Sequence, residues 1–520
     1  MRIRVVGAGV MGRGIAQWAA TAGHTVELAD ARQESVDEAV GFIAGMLDRA
    51  VEKGRLEAEE AAAAAERLVP LESPLAPGDA VDLVIEAVLE DLAVKTDLLT
   101  SLEKVLPASV VFATNTSSLS VTRIAAQLAD PTRLAGLHFF NPVPLMRIAE
   151  VIPGAATRPG LVPLLVDLVK SGGHRAVVVA DTPGFLVNHA GRGLITEALA
   201  LLEEDIADVA GIDRIARDVL GLRMGPFELT DLTGLDVTAS VIDTVWQGFR
   251  HCDRLRPSYL TPNRVAAGLL GRKTGRGFHD YRPDGPGILA EPPVTGILAE
   301  PPVTGDAARA VHVPGDTPDA RELRRVLGAA GAVLDPAPGA AERTLVLIPV
   351  WGTTVAAAVA EFGLPPGRTL GVDPLSLTAP RRVLATTPAS DQDAVRDARA
   401  VLARSAGSGQ PPAVSVVRDT AGSVAQRLLA SVVSVAASIA ERAIATPADI
   451  DLAVTTGLGY PHGPLAWGDR IGAARMLALH RALHETTGDP RYRPTRWVTE
   501  RAQLGLPLTE PGTPPPHTAR

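Results

Sequence analysis

The sequence predicts an α/β domain built on a parallel sheet, joined to an all-α domain, then a reduced α/β domain and a second all-α copy. Three observations carry this reading. Short β-rich runs (Ile3–Val6, Thr25–Ala29, Val81–Val88, Val110–Ala113, Leu134–Phe139, Ala176–Ala180) alternate with helical stretches, and such alternation lays helices over a parallel sheet. From Asp181 to about Tyr281 the pattern becomes helical, broken at Gly211, Gly221, Gly225-Pro226 and Gly234. Motif order then recurs: Asp181-Thr-Pro-Gly-Phe-Leu-Val-Asn188 is echoed by Asp419-Thr-Ala-Gly-Ser-Val-Ala-Gln426, and Leu222-Arg-Met-Gly-Pro-Phe by Tyr460-Pro-His-Gly-Pro-Leu.

A chain of 520 residues exceeds what one hydrophobic core organises, about 250–300 residues. The expected segments are an α/β domain at 1–182, a helical domain at 183–282, and a Pro-rich linker at 283–305. A reduced α/β domain at 306–411, a second helical domain at 412–508 and a disordered tail at 509–520 follow. Between Asp306 and Pro411 strands are expected at Thr344–Pro349 and Arg382–Ala385, with no glycine fingerprint after a strand. Within the linker, Ile288-Leu-Ala-Glu-Pro-Pro-Val-Thr-Gly296 repeats unchanged as Ile297 to Gly305; it reads as a duplication tolerated in a loop and is assigned no chemistry.

A formal net charge of −9 argues against a nucleic-acid partner, which would require a basic face. The lone cysteine, Cys252, permits no internal disulfide and no cysteine-rich metal cluster, in keeping with a reducing compartment. The apolar run at the start ends at Gly7, so no export signal is expected. No stretch of about 18 apolar residues lacks a charge or turn residue, so no membrane partner is expected and the chain reads as soluble and cytoplasmic.

Gly7-Ala8-Gly9-Val10-Met11-Gly12 follows an apolar strand and opens a helix, and the next strand ends in Asp30. This is a dinucleotide fingerprint in its required context, so the first domain is expected to be Rossmann-type. Gly7 permits the tight turn, Gly9 lets a pyrophosphate approach the backbone, and Gly12 allows close packing of helix on strand. Asp30 would accept hydrogen bonds from the adenosine ribose and repel a 2′-phosphate, which favours NAD over NADP; the neighbouring Arg32 argues the other way.

The middle of the chain carries Asn115-Thr-Ser117-Ser118-Leu119, His138-Phe-Phe-Asn141-Pro142, Glu150-Val-Ile, the Asp181–Asn188 block and Met224-Gly-Pro-Phe-Glu-Leu. With the glycine fingerprint, these motifs over residues 1–281 resemble the L-3-hydroxyacyl-CoA dehydrogenase family. The layout of the whole chain is similar to long bacterial 3-hydroxybutyryl-CoA and 3-hydroxyadipyl-CoA dehydrogenases of phenylacetate-type aromatic-acid catabolism.

Oxidising a secondary alcohol requires a base near neutrality at the hydroxyl, and histidine has that property. His138, ending a predicted strand at the ligand-binding edge of the sheet, is the expected base. The resemblance implies that Glu150 orients it and that Ser117 and Asn188 bind the reacting oxygen and thioester region. It implies further cofactor contacts at Glu90, Lys95, Ser117, Asn141 and Lys273, and makes Lys53 the candidate for the phosphates of coenzyme A. Lys53 reads equally well as part of a solvated helix face. No metal site is expected, since hydride transfer to nicotinamide needs none.

The expected reaction is therefore NAD-dependent oxidation of an (S)-3-hydroxyacyl-CoA. A dehydrogenase acting on carrier-protein thioesters, or a non-catalytic dinucleotide-binding protein, are the alternatives. The second helical copy is expected to pack on the first as an intramolecular pseudo-dimer, with homodimerisation as the alternative. Gln426 in place of Asn188 implies a non-catalytic second half.

Overall fold

The computed structural model describes residues 1–78, 80–282, 302–336, 343–405 and 410–513. The chain divides into two compact units: Met1–His189 with Arg442–Leu458, and Ala190–Glu441 with Gly459–Arg520. Most of the duplicated linker segment lies outside the described residues.

In the first unit the chain runs β1 (Arg2–Val6), α1 (Val10–Thr21), β2 (Thr25–Ala29), α2 (Gln33–Glu52), α3 (Ala58–Glu66), β3 (Leu68–Pro70) and β4 (Leu83–Glu86). It continues through α4 (Leu92–Val105), β5 (Val111–Thr114), α5 (Val121–Ala125), β6 (Leu134–Phe139), β7 (Ile148–Pro153), α6 (Leu161–Ser171) and β8 (Arg175–Val178). The strands form one sheet in the order β3-β2-β1-β4-β5-β6-β7-β8. The strands are buried on both faces, as in β1, β4 and β5, because helices cover the sheet; Val5, Ile15, Leu28, Ile43 and Leu137 share the core beneath them. The sheet is not wholly parallel as expected: β6 and β7 run antiparallel, with His138 opposite Glu150. Strand β7 escaped the sequence pattern because Pro142 and Pro144 crowd the turn before it, while Glu150 interrupts its apolar run.

The chain leaves this sheet through α7 (Val187–Ala190). The second unit then holds α8 (Arg192–Glu203), α9 (Val209–Asp218), α10 (Pro226–Thr233), α11 (Leu235–Gly248) and α12 (Leu260–Ala266). Beyond the linker come β9 (Val311–His312), α13 (Pro318–Ala329), β10 (Leu345–Pro349), α14 (Val355–Phe362), β11 (Thr369–Val372), β12 (Arg381–Thr386), α15 (Gln392–Leu402) and β13 (Ala413–Arg418). Their sheet has the order β13-β12-β11-β10-β9 with β11 and β12 antiparallel. That is the arrangement of β8-β7-β6-β5-β4, without counterparts of β1 to β3 among the described residues. The second α/β domain is reduced by loss of the half that carries the glycine turn.

The boundary expected at 411/412 falls short, since β13 pairs with β12 along six residues and the α/β domain runs to Arg418. The final helices are α16 (Ser423–Glu441), α17 (Pro447–Gly457), α18 (Pro464–Ile471), α19 (Ala473–Thr487) and α20 (Arg496–Leu504). The tail expected to be disordered from 509 begins ordered: Thr509 donates through its amide and hydroxyl to Asp469. Residues 514–520 lie outside the described residues.

Backbone geometry exposes the duplication in detail. Left-handed φ angles at Gly184, Phe185, Asp205, Gly221, Gly234 and Arg250 recur at Gly422, Ser423, Ala443, Gly459, Gly472 and Gly488. Each pair is 238 positions apart (422 − 184 for the first). Non-glycine residues rarely adopt this region, so its recurrence at Phe185 and Ser423 marks one conserved turn. Helix α16 is long and apolar enough to cross a membrane by length and composition, but 89% of its apolar window is buried inside the protein, as a core helix requires.

Within the second unit α16 packs along α8. Arg427 on α16, with no exposed surface, pairs with Glu197 at 2.6 Å and Glu204 at 2.6 Å, and donates to the Tyr492 hydroxyl at 2.7 Å. Two acids, a phenol and a fully buried guanidinium thus satisfy one another, the condition under which buried charge is tolerated. Removing the cation leaves Glu197, whose side chain is 1% exposed, with only the Tyr492 hydroxyl at 2.7 Å and the Arg491 guanidinium at 3.6 Å. Arg427→Ala is expected to cost about 3–5 kcal/mol, read as a lowered urea midpoint by circular dichroism; an unchanged midpoint would contradict this account.

Candidate active site

The glycine turn sits between β1 and α1. Gly7 has φ +106°, and a Cβ there would lie 2.5 Å from the Ala87 carbonyl oxygen. At Gly12 a Cβ would meet the Gly7 carbonyl oxygen at 1.6 Å, whereas at Gly9 it would find no atom within 4 Å. Two glycines are thus required by packing, and the third leaves open space beside the N-terminus of α1. No side chain caps that helix, so the amides of Val10, Met11 and Gly12 keep their donors for an anion. Asp30, just past β2, accepts from the Ala8 amide at 2.7 Å and from the Arg32 amide at 3.1 Å. This donor-rich cradle fits a dinucleotide pyrophosphate, with Asp30 beside it for the ribose.

Glu90 follows β4 and gathers the next loop. Its carboxylate accepts from the Thr116 hydroxyl at 2.7 Å and from the Ser117 and Ser118 amides at 2.8 and 2.9 Å. Burial alone would raise this carboxyl; Lys95 and these donors outweigh it and hold Glu90 at about 2. Lys95 itself is 1% exposed, its ammonium 2.7 Å from Glu86 and 3.3 Å from Glu90. Lys95, expected as a cofactor contact, supports the acid that shapes the Ser117 loop.

His138 and Glu150 meet across β6 and β7, with Nδ1 2.6 Å from Oε2. Glu150 has no exposed surface, and its other oxygen accepts from the Leu186 and Val187 amides at 3.0 and 2.8 Å. A carboxylate only accepts, so Nδ1 carries the proton and Nε2 presents a lone pair. Phe140 and Phe185 rings flank the imidazole at 4.4 and 5.9 Å. The Phe139 amide donates to Asn115 at 2.8 Å, which ties His138's strand to the Ser117 loop. Asn188 comes directly after the amides that hold Glu150, on α7, and Asn141 is exposed three residues beyond His138. Within the first unit, contacts join the glycine turn to Asp30, Glu90 to Ser117 and His138 to Glu150, while Asn141 and Asn188 follow His138 and Val187 in sequence.

Lys273 belongs to the second unit, where its ammonium lies 2.6 and 2.7 Å from the Asp236 oxygens. Lys53, at the end of α2, lines a cavity of about 880 Å³ in the first unit together with Arg49, Arg55, Arg147 and Trp18. Arg147 was not legible as part of this group, because it lies on the far side of the Pro142–Pro144 turn. In the second unit Asp213, Glu228 and His279 place ligand-type atoms within 4.8 Å of one another, a convergence the sequence did not suggest. Those atoms hold the fold together: His279 Nε2 bonds Asp213 at 2.7 Å, Asp213 accepts from the Phe227 amide, and Glu228 pairs with Arg217.

The family is decided by matches along the chain. Residues 2–182 match the model for the 3-hydroxyacyl-CoA dehydrogenase NAD binding domain, and residues 184–281 and 422–512 both match the model for its C-terminal domain. The chain belongs to the 3-hydroxyacyl-CoA dehydrogenase family. It is 34% identical over 502 residues to the 3-hydroxyadipyl-CoA dehydrogenase of Escherichia coli (strain K12), covering 96% of this chain and 97% of that one. The crystal structure of 3-hydroxybutyryl-CoA dehydrogenase from Escherichia coli K12 superposes with a TM-score of 0.83 at 34% identity, over 97% of this chain and 98% of that one. A probable 3-hydroxybutyryl-CoA dehydrogenase of Bacillus subtilis (strain 168) is 38% identical over 280 residues, 54% of this chain and 97% of its own. Members of this family are NAD-dependent oxidoreductases, and NAD is the cofactor of the first domain.

The second α/β domain of this dehydrogenase retains the frame of the site without its chemistry. Asp181 holds the Val121 amide at the start of α5, and Asp419 holds the Val355 amide at the start of α14. Val121 crowds Gly136 as Val355 crowds Gly371, and counting from these anchors pairs Ser117 with Trp351, His138 with Asp373 and Glu150 with Val383. Gln426, the counterpart of Asn188, bonds the Val350 carbonyl, the Gly352 amide and Asp373, filling the former site.

Burial raises Asp373 from 3.8 to about 6, against the donors Gln426 and Leu375. An acid raised on folding contributes most below 3.8, and that contribution is lost as pH climbs to 6. Asp373→Asn retains an acceptor for Gln426 and removes the penalty. The variant should be more stable than the parent at pH 7–8 by up to about 3 kcal/mol, with thermal midpoints converging toward pH 4. Equal midpoints at pH 8 would contradict the assignment.

Proposed function

We propose that this chain oxidises (S)-3-hydroxyacyl-CoA to 3-oxoacyl-CoA with His138 as general base, oriented by Glu150. The observation that carries the reading is the 2.6 Å His138–Glu150 contact, made by a carboxylate whose other oxygen is already held by two amides. Bound NAD supplies the hydride acceptor. His138 Nε2 takes the hydroxyl proton as the carbon–hydrogen bond breaks, and Glu150 stabilises the imidazolium through Nδ1. Ser117 and Asn188 hold the reacting oxygen and the thioester carbonyl, which fixes the attack geometry. Asn141 adds a cofactor contact in this reading. Running backward, the same imidazolium returns the proton.

Lys53, Arg49, Arg55 and Arg147 around one cavity supply the local positive charge that coenzyme A phosphates demand of an acidic protein. This favours free CoA thioesters over carrier-linked ones. Similarity to relatives named for 3-hydroxyadipyl-CoA and 3-hydroxybutyryl-CoA supports a short or dicarboxylic acyl group. The single cysteine is in keeping with a cytoplasmic setting. His138→Gln is expected to reduce kcat by at least about 10²–10⁴-fold in NADH-absorbance assays over CoA and carrier-linked substrates, while NADH affinity stays within a factor of about two. Full turnover in this variant would remove His138 from the mechanism.

We further infer that the two helical copies form an intramolecular pseudo-dimer whose second half is non-catalytic. Packing of α8 along α16, both almost wholly buried, supports this. A chain ending at Arg282 would lose α16 from the face of α8 around Gly193, which meets Ser431 and Val432, and should elute as dimer or aggregate in light-scattering chromatography. A well-behaved monomer would count against the pseudo-dimer.

A further inference from the structure

The first unit includes a segment from the far end of the sequence, Arg442–Leu458. The Ala180 amide donates to the Ile444 carbonyl at 2.8 Å, and α17 packs on β7 and β8. A tight contact lies at Gly457, the last residue of α17. A Cβ there would lie 3.2 and 3.3 Å from the two methyls of Val187 and 3.8 Å from the Ile148 Cγ2. Val187 is 2% exposed, and its amide is one of the two that hold Glu150.

A short chain of contacts therefore runs from the second half of the sequence to the imidazole: Gly457 against Val187, the Val187 amide on Glu150, and Glu150 on His138 Nδ1. We propose that α17 is a positioning element for the His138–Glu150 pair, and Gly457 a positioning residue whose missing side chain sets the depth at which Val187 and its amide sit. The inference rests on the reading of His138 as the base.

The other copy supplies a comparison within the same molecule. By the 238-residue offset, Gly457 corresponds to Val219 (457 − 238) and Val187 to Ala425 (187 + 238). The copy with the His–Glu pair combines valine on the turn with glycine at the helix end; the copy without it has alanine on the turn and valine at the helix end. Bulk has changed places between the two positions, as expected of residues that share one space.

Gly457→Val, Gly457→Ala and Val187→Ala, with the double variant Gly457→Val/Val187→Ala, test this in the full-length protein. Wild-type turnover of a 3-hydroxyacyl-CoA with NAD comes first; its failure would sink the reading of the reaction and not the packing argument. Given turnover, Gly457→Val should lower kcat by about tenfold or more, with the acyl-CoA KM and the NADH Kd each within about twofold. A merely structural contact would leave kcat per folded molecule unchanged.

Gly457→Ala, which asks Val187 to move only a few tenths of an ångström, should show the same split at about two- to fivefold, and decides the matter should the valine variant fail to fold. In the double variant, the loss caused by Gly457→Val, measured against Val187→Ala, should shrink by at least half on a logarithmic scale. Unchanged kcat in Gly457→Ala, or simple additivity in the double variant, would overturn the proposal.

Discussion

Glu150 is a carboxylate with no exposed surface, and the cost of burying such a group is repaid only when both oxygens are engaged. One oxygen faces the imidazole on the adjacent strand and the other takes two amides from the turn that begins at Gly184. The pair exists because β6 and β7 run antiparallel in a register that sets His138 opposite Glu150. A slip of one residue would send the two side chains to opposite faces. The left-handed Gly184-Phe185 turn aims the amides inward, so the chemistry depends on one strand register and one turn.

The same register and turn persist in the second α/β domain, where the acid and base do not. Asp373, Val383, Trp351 and Gln426 stand at the corresponding places, and Gln426 spends its hydrogen bonds on Val350, Gly352 and Asp373. Among the described residues this sheet has no counterparts of β1 to β3, and so none of the glycine turn that would receive a dinucleotide. What survives is the set of caps and close glycine contacts, which depend on packing more than on chemistry.

Much of the site was legible in the sequence because its motifs are local. The glycine fingerprint states its geometry through residues that tolerate no Cβ, and His138 lies in a strand that the β-rich pattern reveals. Glu150's role came from resemblance, since β7 hides behind the Pro142–Pro144 turn and its direction cannot be read from alternation. Arg147 and the Asp213–Glu228–His279 cluster depend on contacts between residues far apart in sequence, as does the assignment of Arg442–Leu458 to the first unit. The edge of the second α/β domain was drawn too early because β13, rich in valine and ending in Arg418, runs directly into the Asp419 turn.

The Arg427–Glu197 contact has a consequence for how such a molecule can evolve. By the 238-residue offset, the counterpart of Arg427 is His189 and that of Glu197 is Val435, so cation and anion each occur on one side only. In an assembly of two identical chains every substitution arrives twice, and a lone arginine facing a lone glutamate cannot be written into a two-fold axis without also writing its mirror. Joining both copies in a single polypeptide releases that restriction. Each side then drifts separately, so that a cation can settle on one copy and its partner anion on the other.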